Sequence, residues 1–213
     1  WIRGGLRPSP FCLERNIVLL CLDIDGVVAD IAYELDFIAI RDGHDKYDFS
    51  NSFDSKHWRD VEWVYEAMQD EVFWRNLRPY EDAWHFVNKA FMSGVDVMFV
   101  TSRNPKWRDA TERWLDEWDI AYHDILFTEA GRKPELLEMM QENVPWGETA
   151  LMVEDNSLEV DAVNEAKLLG VLMNRDYNKD FELNKPWWSD SKLDNRVDSF
   201  SDLEELLNKL GWE

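Results

Sequence analysis

Cysteine is scarce in this chain. Cys12 and Cys21 are the only two among 213 residues, and their spacing matches no metal-ligand or redox motif. A disulfide-stapled fold is disfavoured, and free thiols in a reducing, cytoplasmic compartment are the expectation. Long apolar runs are missing as well. Nothing approaches the roughly 20 residues of a membrane span. The run from Ile17 to Leu22 is too short for a signal-peptide core, and no small-residue cleavage site follows it. Basic charge is in deficit, with 23 Lys and Arg against 44 Asp and Glu, a net charge of −21. A surface that negative repels nucleic-acid backbones, so a DNA- or RNA-coating role is disfavoured. The acidity itself reads as solubility or adaptation to salt. Repeats and low-complexity segments are also lacking. The chain opens on Trp1 rather than methionine, which points to a truncated start or a cloning remnant.

What is present is globular in character: 45% hydrophobic and 31% charged residues, in a length that suits one domain with a modest insertion. Ile17 to Leu22 is continuously apolar, as in a central parallel strand buried on both faces. Further strands are expected at Val95–Val100, Ile125–Phe127, Ala150–Val153 and Val171–Met173. Between them lie helical stripes. Ala83, Trp84, Val87 and Phe91 form one, closed by Gly94. Trp107, Thr111, Trp114, Leu115 and Trp118 form another, opened by Asn104 as N-cap and Pro105 in the first turn. Pro134 opens a third, and Leu158–Leu169 and Leu203–Leu210 complete the set. Strands alternating with helices predict an α/β fold with a doubly wound parallel sheet. Residues 29–79 break the alternation. They are aromatic, charged and mostly helical in pattern (Tyr47, Phe49, Phe53, Trp58, Trp63, Tyr65, Phe73, Trp74), so they read as a helical insertion after the first strand. The expected division is a core of residues 1–28 and 80–213 with an insertion of residues 29–79. The twelve tryptophans read first as packing residues. Trp187 and Trp188 near the end suit either core packing or a dimer contact.

In open parallel sheets, ligands bind beyond the carboxyl ends of the strands. Here those ends carry Asp23-Ile24-Asp25-Gly26, Thr101-Ser102-Arg103 and Glu154-Asp155-Asn156, and Lys133 follows the third strand. Each has a plain structural explanation alone: a turn, a helix cap, a solvated lysine. Together, in this order, they suit phosphoryl transfer. Several carboxylates in one crevice need a cation, and hard oxygen donors select Mg²⁺. Such a cation lets an anionic nucleophile approach an anionic substrate. A hydroxyl at Thr101 and the ammonium of Lys133 suit the non-reacting phosphoryl oxygens. Asp23 and Asp25, two apart on an extended strand, share a face and reach one phosphorus. Gly26 permits a tight turn beside them.

Leu22-Asp23-Ile24-Asp25-Gly26-Val27-Val28-Ala29-Asp30 resembles the first motif of the haloacid dehalogenase (HAD) superfamily, in the form typical of its deoxyribonucleotidase branch. Val97–Ser102, Lys133 and Val153-Glu154-Asp155-Asn156 resemble the second, third and fourth motifs, so the likeness runs from Ile17 to Trp212. The resemblance implies a Rossmann-like core with a small helical cap in residues 29–79. It implies Asp23 as the nucleophile that forms an aspartyl-phosphate, and Asp25 as the acid and base for the leaving alcohol and the attacking water. It implies Mg²⁺ held by Asp23, the Asp25 carbonyl and Asp155 with Glu154 beside them, and phosphate held by Thr101, Ser102 and Lys133. Glu154 stands where many nucleotidases carry a second aspartate. Arg103 replaces a proline of that branch and resembles the arginine of polynucleotide kinase-phosphatases; it suits either a clamp on substrate phosphate or an ion pair with Asp155 or a surface acid. The implied activity is hydrolysis of a small phosphorylated metabolite, foremost a nucleoside monophosphate, with cap aromatics stacking on the base. A 3′-phosphatase of nucleic-acid ends and a non-catalytic binding domain are the alternatives. A signalling receiver domain fits less well, because its acidic pair is adjacent in sequence.

Overall fold

The first strand forms where the apolar run demands it. In the computed structural model, which describes residues 16–49, 61–144, 148–188 and 194–210, β1 covers Asn16–Leu22 and lies in the middle of the sheet. Trp1, Cys12, Phe53, Trp58 and Trp212 lie outside the described residues. The other strands are β2 (Asp96–Thr101), β3 (Asp124–Phe127), β4 (Glu148–Glu154), β5 (Leu169–Met173) and β6 (Arg196–Val197). Their order is β3-β2-β1-β4-β5-β6 and every pairing is parallel. Side chains alternate across β1. Leu20 and Leu22 join Phe86, Trp114 and Phe200 on one face, while Leu19 and Cys21 join Leu137 and Met152 on the other. Helices cover both faces, which makes the sheet doubly wound.

The eight α-helices among the described residues are α1 (Ile31–Asp42), α2 (Glu62–Ala67), α3 (Glu71–Asn76), α4 (Glu81–Met92), α5 (Arg108–Glu117), α6 (Lys133–Gln141), α7 (Ser157–Glu165) and α8 (Phe200–Lys209). Their starts follow cap chemistry. Asn104 accepts from the Lys106 N–H and opens a 3₁₀ turn, Pro105–Trp107, that runs into α5. Asn156 caps α7 and Ser199 caps α8. Pro134 sits in the first turn of α6. None of the described helices is long and apolar enough to cross a membrane.

Two details differ from the sequence expectation. The helix expected to run to Leu169 ends at Glu165; Lys167 takes a left-handed φ of 66°, and Leu169 and Gly170 join β5. The two-residue β6 was not expected at all; it is too short to show a periodicity. Trp188 resolves its own alternative: it is 3% exposed and its indole N–H donates to Asn164 Oδ1 at 2.7 Å.

The inserted segment leaves and rejoins the sheet side by side. Ala29 bridges Asp25 and Pro79, Asp30 N–H donates to the Arg78 carbonyl at 2.8 Å, and Tyr80 N–H donates to the Val28 carbonyl at 2.9 Å. Within the segment, α3 packs on α5 of the core. Trp114 of α5 is fully buried and donates its indole N–H to the Leu77 carbonyl at 2.7 Å.

Candidate active site

β1 ends at Leu22, but its ladder continues one step: Asp23 N–H donates to the Val153 carbonyl at 2.9 Å. The carboxylate of Asp23 is thereby fixed at the carboxyl end of the two central strands, 5% exposed. The chain then turns at once, so Asp25 lies in the turn rather than on extended strand as expected. Both aspartates nonetheless face one cavity of about 550 Å³. Gly26 makes the turn, with φ of 79° and its N–H on the Ala29 carbonyl at 2.9 Å. A Cβ there would overlap Asp155 Oδ2 and the Tyr177 hydroxyl, so both conformation and space call for glycine.

Lys133, the first residue of α6, is 2% exposed and points its ammonium between two carboxylates. Nζ lies 2.6 Å from Asp23 Oδ1 and 2.5 Å from Glu154 Oε2. Asp23, Glu154 and Asp155 bring one oxygen each within 4.8 Å of one another. Burial, then the charge of Glu154, pushes the Asp23 carboxyl up to about 8. Burial raises Glu154 to about 8 against the pull of Lys133, and burial with the Asp23 charge raises Asp155 to about 6. Burial works against the Lys133 ammonium, but Asp23 and Glu154 outweigh it and push it up. Three hard oxygen donors that resist ionisation together are a set that a small divalent cation stabilises, and they fit Mg²⁺. Glu159 of α7 also lines the cavity, buried at 6% exposure. Its Oε1 accepts from the Gly131 N–H, and its Oε2 has no partner among the described residues. Five carboxyl groups thus line the cavity against Arg103, Lys106 and Lys133, so their full ionisation would leave a surplus of negative charge that a cation offsets.

Thr101 ends β2, 1% exposed, with its hydroxyl accepting from the Arg103 N–H at 3.2 Å. Ser102 beside it is exposed and lines the same cavity. Arg103 pairs with neither Asp155 nor a surface acid. Its Nε–H and Nη2–H donate to the two oxygens of Asp25 at 2.8 and 2.6 Å, and Nη1–H donates to Thr111 Oγ1 at 3.1 Å. The expected residues Asp23, Asp25, Thr101, Ser102, Arg103, Lys133, Glu154 and Asp155 therefore line one cavity. The inserted segment adds Phe49, Tyr65, Met68, Gln69 and Trp74 to its wall.

The loop after β5 was not foreseen as part of the site. Tyr177 donates its hydroxyl to Asp155 Oδ2 and stacks on Phe49, with ring centroids 5.3 Å apart. Asn178 donates to the Asp155 carbonyl at 2.8 Å. Arg175 donates to the Gly26 and Val27 carbonyls at 2.5 and 3.0 Å, with its guanidinium 3.8 Å from the centre of the Tyr80 ring. The only sequence sign of this loop is polarity directly after an apolar strand.

No protein-family model matches the sequence, and no curated protein matches it. Solved structures are similar in fold. L-2-haloacid dehalogenase from Xanthobacter autotrophicus, with chloropropionic acid covalently bound, matches at a TM-score of 0.63 and 11% identity, over 90% of this chain and 98% of that one. The HAD-hydrolase YfnB from Bacillus subtilis, bound to magnesium, matches at 0.59 and 14%, over 91% and 100%. A HAD-superfamily hydrolase from Ehrlichia chaffeensis matches at 0.53 and 12%, over 92% and 98%.

Proposed function

We propose that this chain, whose fold is that of the HAD-superfamily hydrolases, is a Mg²⁺-dependent phosphomonoesterase that works through an aspartyl-phosphate on Asp23. One observation carries the reading: a buried Asp23 held at 2.6 Å by Lys133, with Glu154 and Asp155 completing a three-carboxylate cluster at the end of the central strands. A nucleophile that attacks phosphorus must overcome the repulsion of a phosphate dianion, and that need accounts for both a cation site and a lysine beside the same carboxylate.

Asp23, Asp155 and Glu154, with the Asp25 carbonyl, would hold Mg²⁺, which neutralises phosphate and carboxylate charge. Asp23 attacks phosphorus, and the ester oxygen leaves with a proton from Asp25. Asp25, now a carboxylate, takes a proton from water as the water attacks the aspartyl-phosphate, which releases inorganic phosphate and restores Asp23. The Thr101 hydroxyl, Ser102 and Lys133 hold the phosphoryl oxygens. Residues 29–79 act as a cap that limits water at the reacting centre.

The substrate proposed is a small phosphorylated metabolite, foremost a nucleoside monophosphate. A cavity of about 550 Å³ has room for one, and Phe49, Tyr65, Trp74 and Trp107 line it with aromatic rings of the kind a base packs against. The net charge of −21 disfavours long nucleic acid.

Phosphate release from a panel of phosphorylated metabolites, with and without Mg²⁺, tests the reading. Magnesium-dependent turnover abolished in Asp23→Asn is expected. Activity that survives Asp23→Asn sinks the covalent route. Chloride release from 2-chloropropionate without phosphate release would assign the same nucleophile to carbon rather than phosphorus.

A further inference from the structure

Arg103 is held on every side by groups of different origin. Two of its nitrogens take both oxygens of Asp25, and a third donates to the fully buried Thr111 of α5. The side chain is 1% exposed. Its guanidinium carbon lies 4.7 Å from the centre of the Trp74 ring and 5.8 Å from that of Trp114. Trp114 lies on α5 and Trp74 on α3, and both belong to one buried apolar cluster. Around this contact the segment is fastened to the core. Arg75 pairs with Glu117 at 2.6 Å, Arg113 with Glu71 at 3.4 Å, and Lys106 donates to Gln69 at 2.7 Å. A bidentate guanidinium fixes a carboxylate in plane as well as in position, which a single donor does not. An arginine stacked on a ring keeps that geometry only while the ring is in place.

We infer that Arg103 is a positioning residue through which docking of α3 on the core sets the orientation of Asp25. Trp74 supplies the ring face on α3, Arg103 transmits its position, and Asp25 is aimed at the reacting ester when α3 is seated on α5. This role rests on the phosphomonoesterase reading, and it leaves the phosphoryl oxygens to Thr101, Ser102 and Lys133.

The full-length protein tests this with aryl phosphates of graded leaving-group strength. Proton donation by a well-placed group is worth about 10²–10⁴ in rate, and it matters most for poor leaving groups. Arg103→Lys is expected to lose on the order of 100-fold in kcat on phenyl phosphate, under about 10-fold on 2,4-dinitrophenyl phosphate, with KM little changed. Trp74→Leu is expected to show the same leaving-group bias with Arg103 intact. Guanidinium ion, below denaturing concentration, is expected to restore part of the phenyl phosphate rate of Arg103→Ala. Equal losses on both esters with a raised KM would overturn the inference in favour of direct phosphate binding. A lowered melting temperature with equal losses and no rescue would reduce Arg103 to a structural residue. Hydrogen exchange separates this failure from that of the proposed function, since it needs no substrate. Asp25→Asn is expected to speed amide exchange in α3, and unchanged exchange there would refute the coupling even in a protein with no phosphatase activity.

Discussion

Lys133→Met removes the one ammonium shared by Asp23 and Glu154 and keeps most of the side-chain volume. Removing one partner of a buried pair costs about 3–5 kcal/mol, because the charge left behind has no compensation. Here the cost depends on pH. Asp23 and Glu154, with carboxyls pushed up to about 8, are stabilising while protonated; that contribution is complete below the unfolded value and is lost as pH rises through about 8. Lys133 limits the loss by favouring the ionised forms. Toward pH 6 protonation of the pair leaves less negative charge for the lysine to balance, so the substitution is expected to cost less than the full figure. Near pH 9 the full about 3–5 kcal/mol applies, which for a chain of this size lowers the melting temperature by about 6–20 °C. Thermal denaturation of both proteins without metal, at the two pH values, measures the difference. An equal fall at both would show that the lysine acts through packing alone and would refute the electrostatic account of the pair.

Three further outcomes are expected. Mg²⁺ must displace protons from Asp23, Glu154 and Asp155, whose metal-free carboxyls are raised to about 8, 8 and 6, so its thermal upshift is expected to grow from pH 6 to about 8.5; a shift independent of pH, or one that survives Asp155→Asn, places the cation elsewhere. Gly26→Ala forces a side chain into a left-handed turn against Asp155 and Tyr177, and is expected to abolish the Mg²⁺-induced shift while the chain still folds, as read by circular dichroism. Trp114→Phe keeps a ring but leaves the Leu77 carbonyl without its indole donor at 2.7 Å, and urea unfolding is expected to show a loss of about 1–3 kcal/mol.

The strands and most helix starts were legible because their signals are local. The Ile17–Leu22 run, Asn104 before Pro105, and Asn156 before Ser157 each act within a few residues. The candidate site was legible because its parts lie at strand ends, where topology alone gathers them. What was hidden depends on long-range pairing. Arg103 and Asp25 are 78 residues apart, and no spacing rule connects them. Tyr177 enters the site only because β5 ends beside β4, and the order of strands cannot be read from any one of them. Leu169 and Gly170 belong to β5 rather than to the helix before it, because pairing with Leu151 and Met152 outweighs the helical pattern.

The side-by-side entry and exit of residues 29–79 have a consequence for how such a chain diversifies. Because Ala29 and Pro79 already touch, the core never has to span the ends of whatever lies between them. The entropic penalty of lengthening that segment rises only with the logarithm of its length, about 0.6 kcal/mol for each doubling. Asp23 and Asp155 at the strand ends and Lys133 at the start of α6 lie outside this seam. On the proposed reading, an exchange at this single doorway would alter the wall that faces the substrate and leave the carboxylate cluster and its lysine in place.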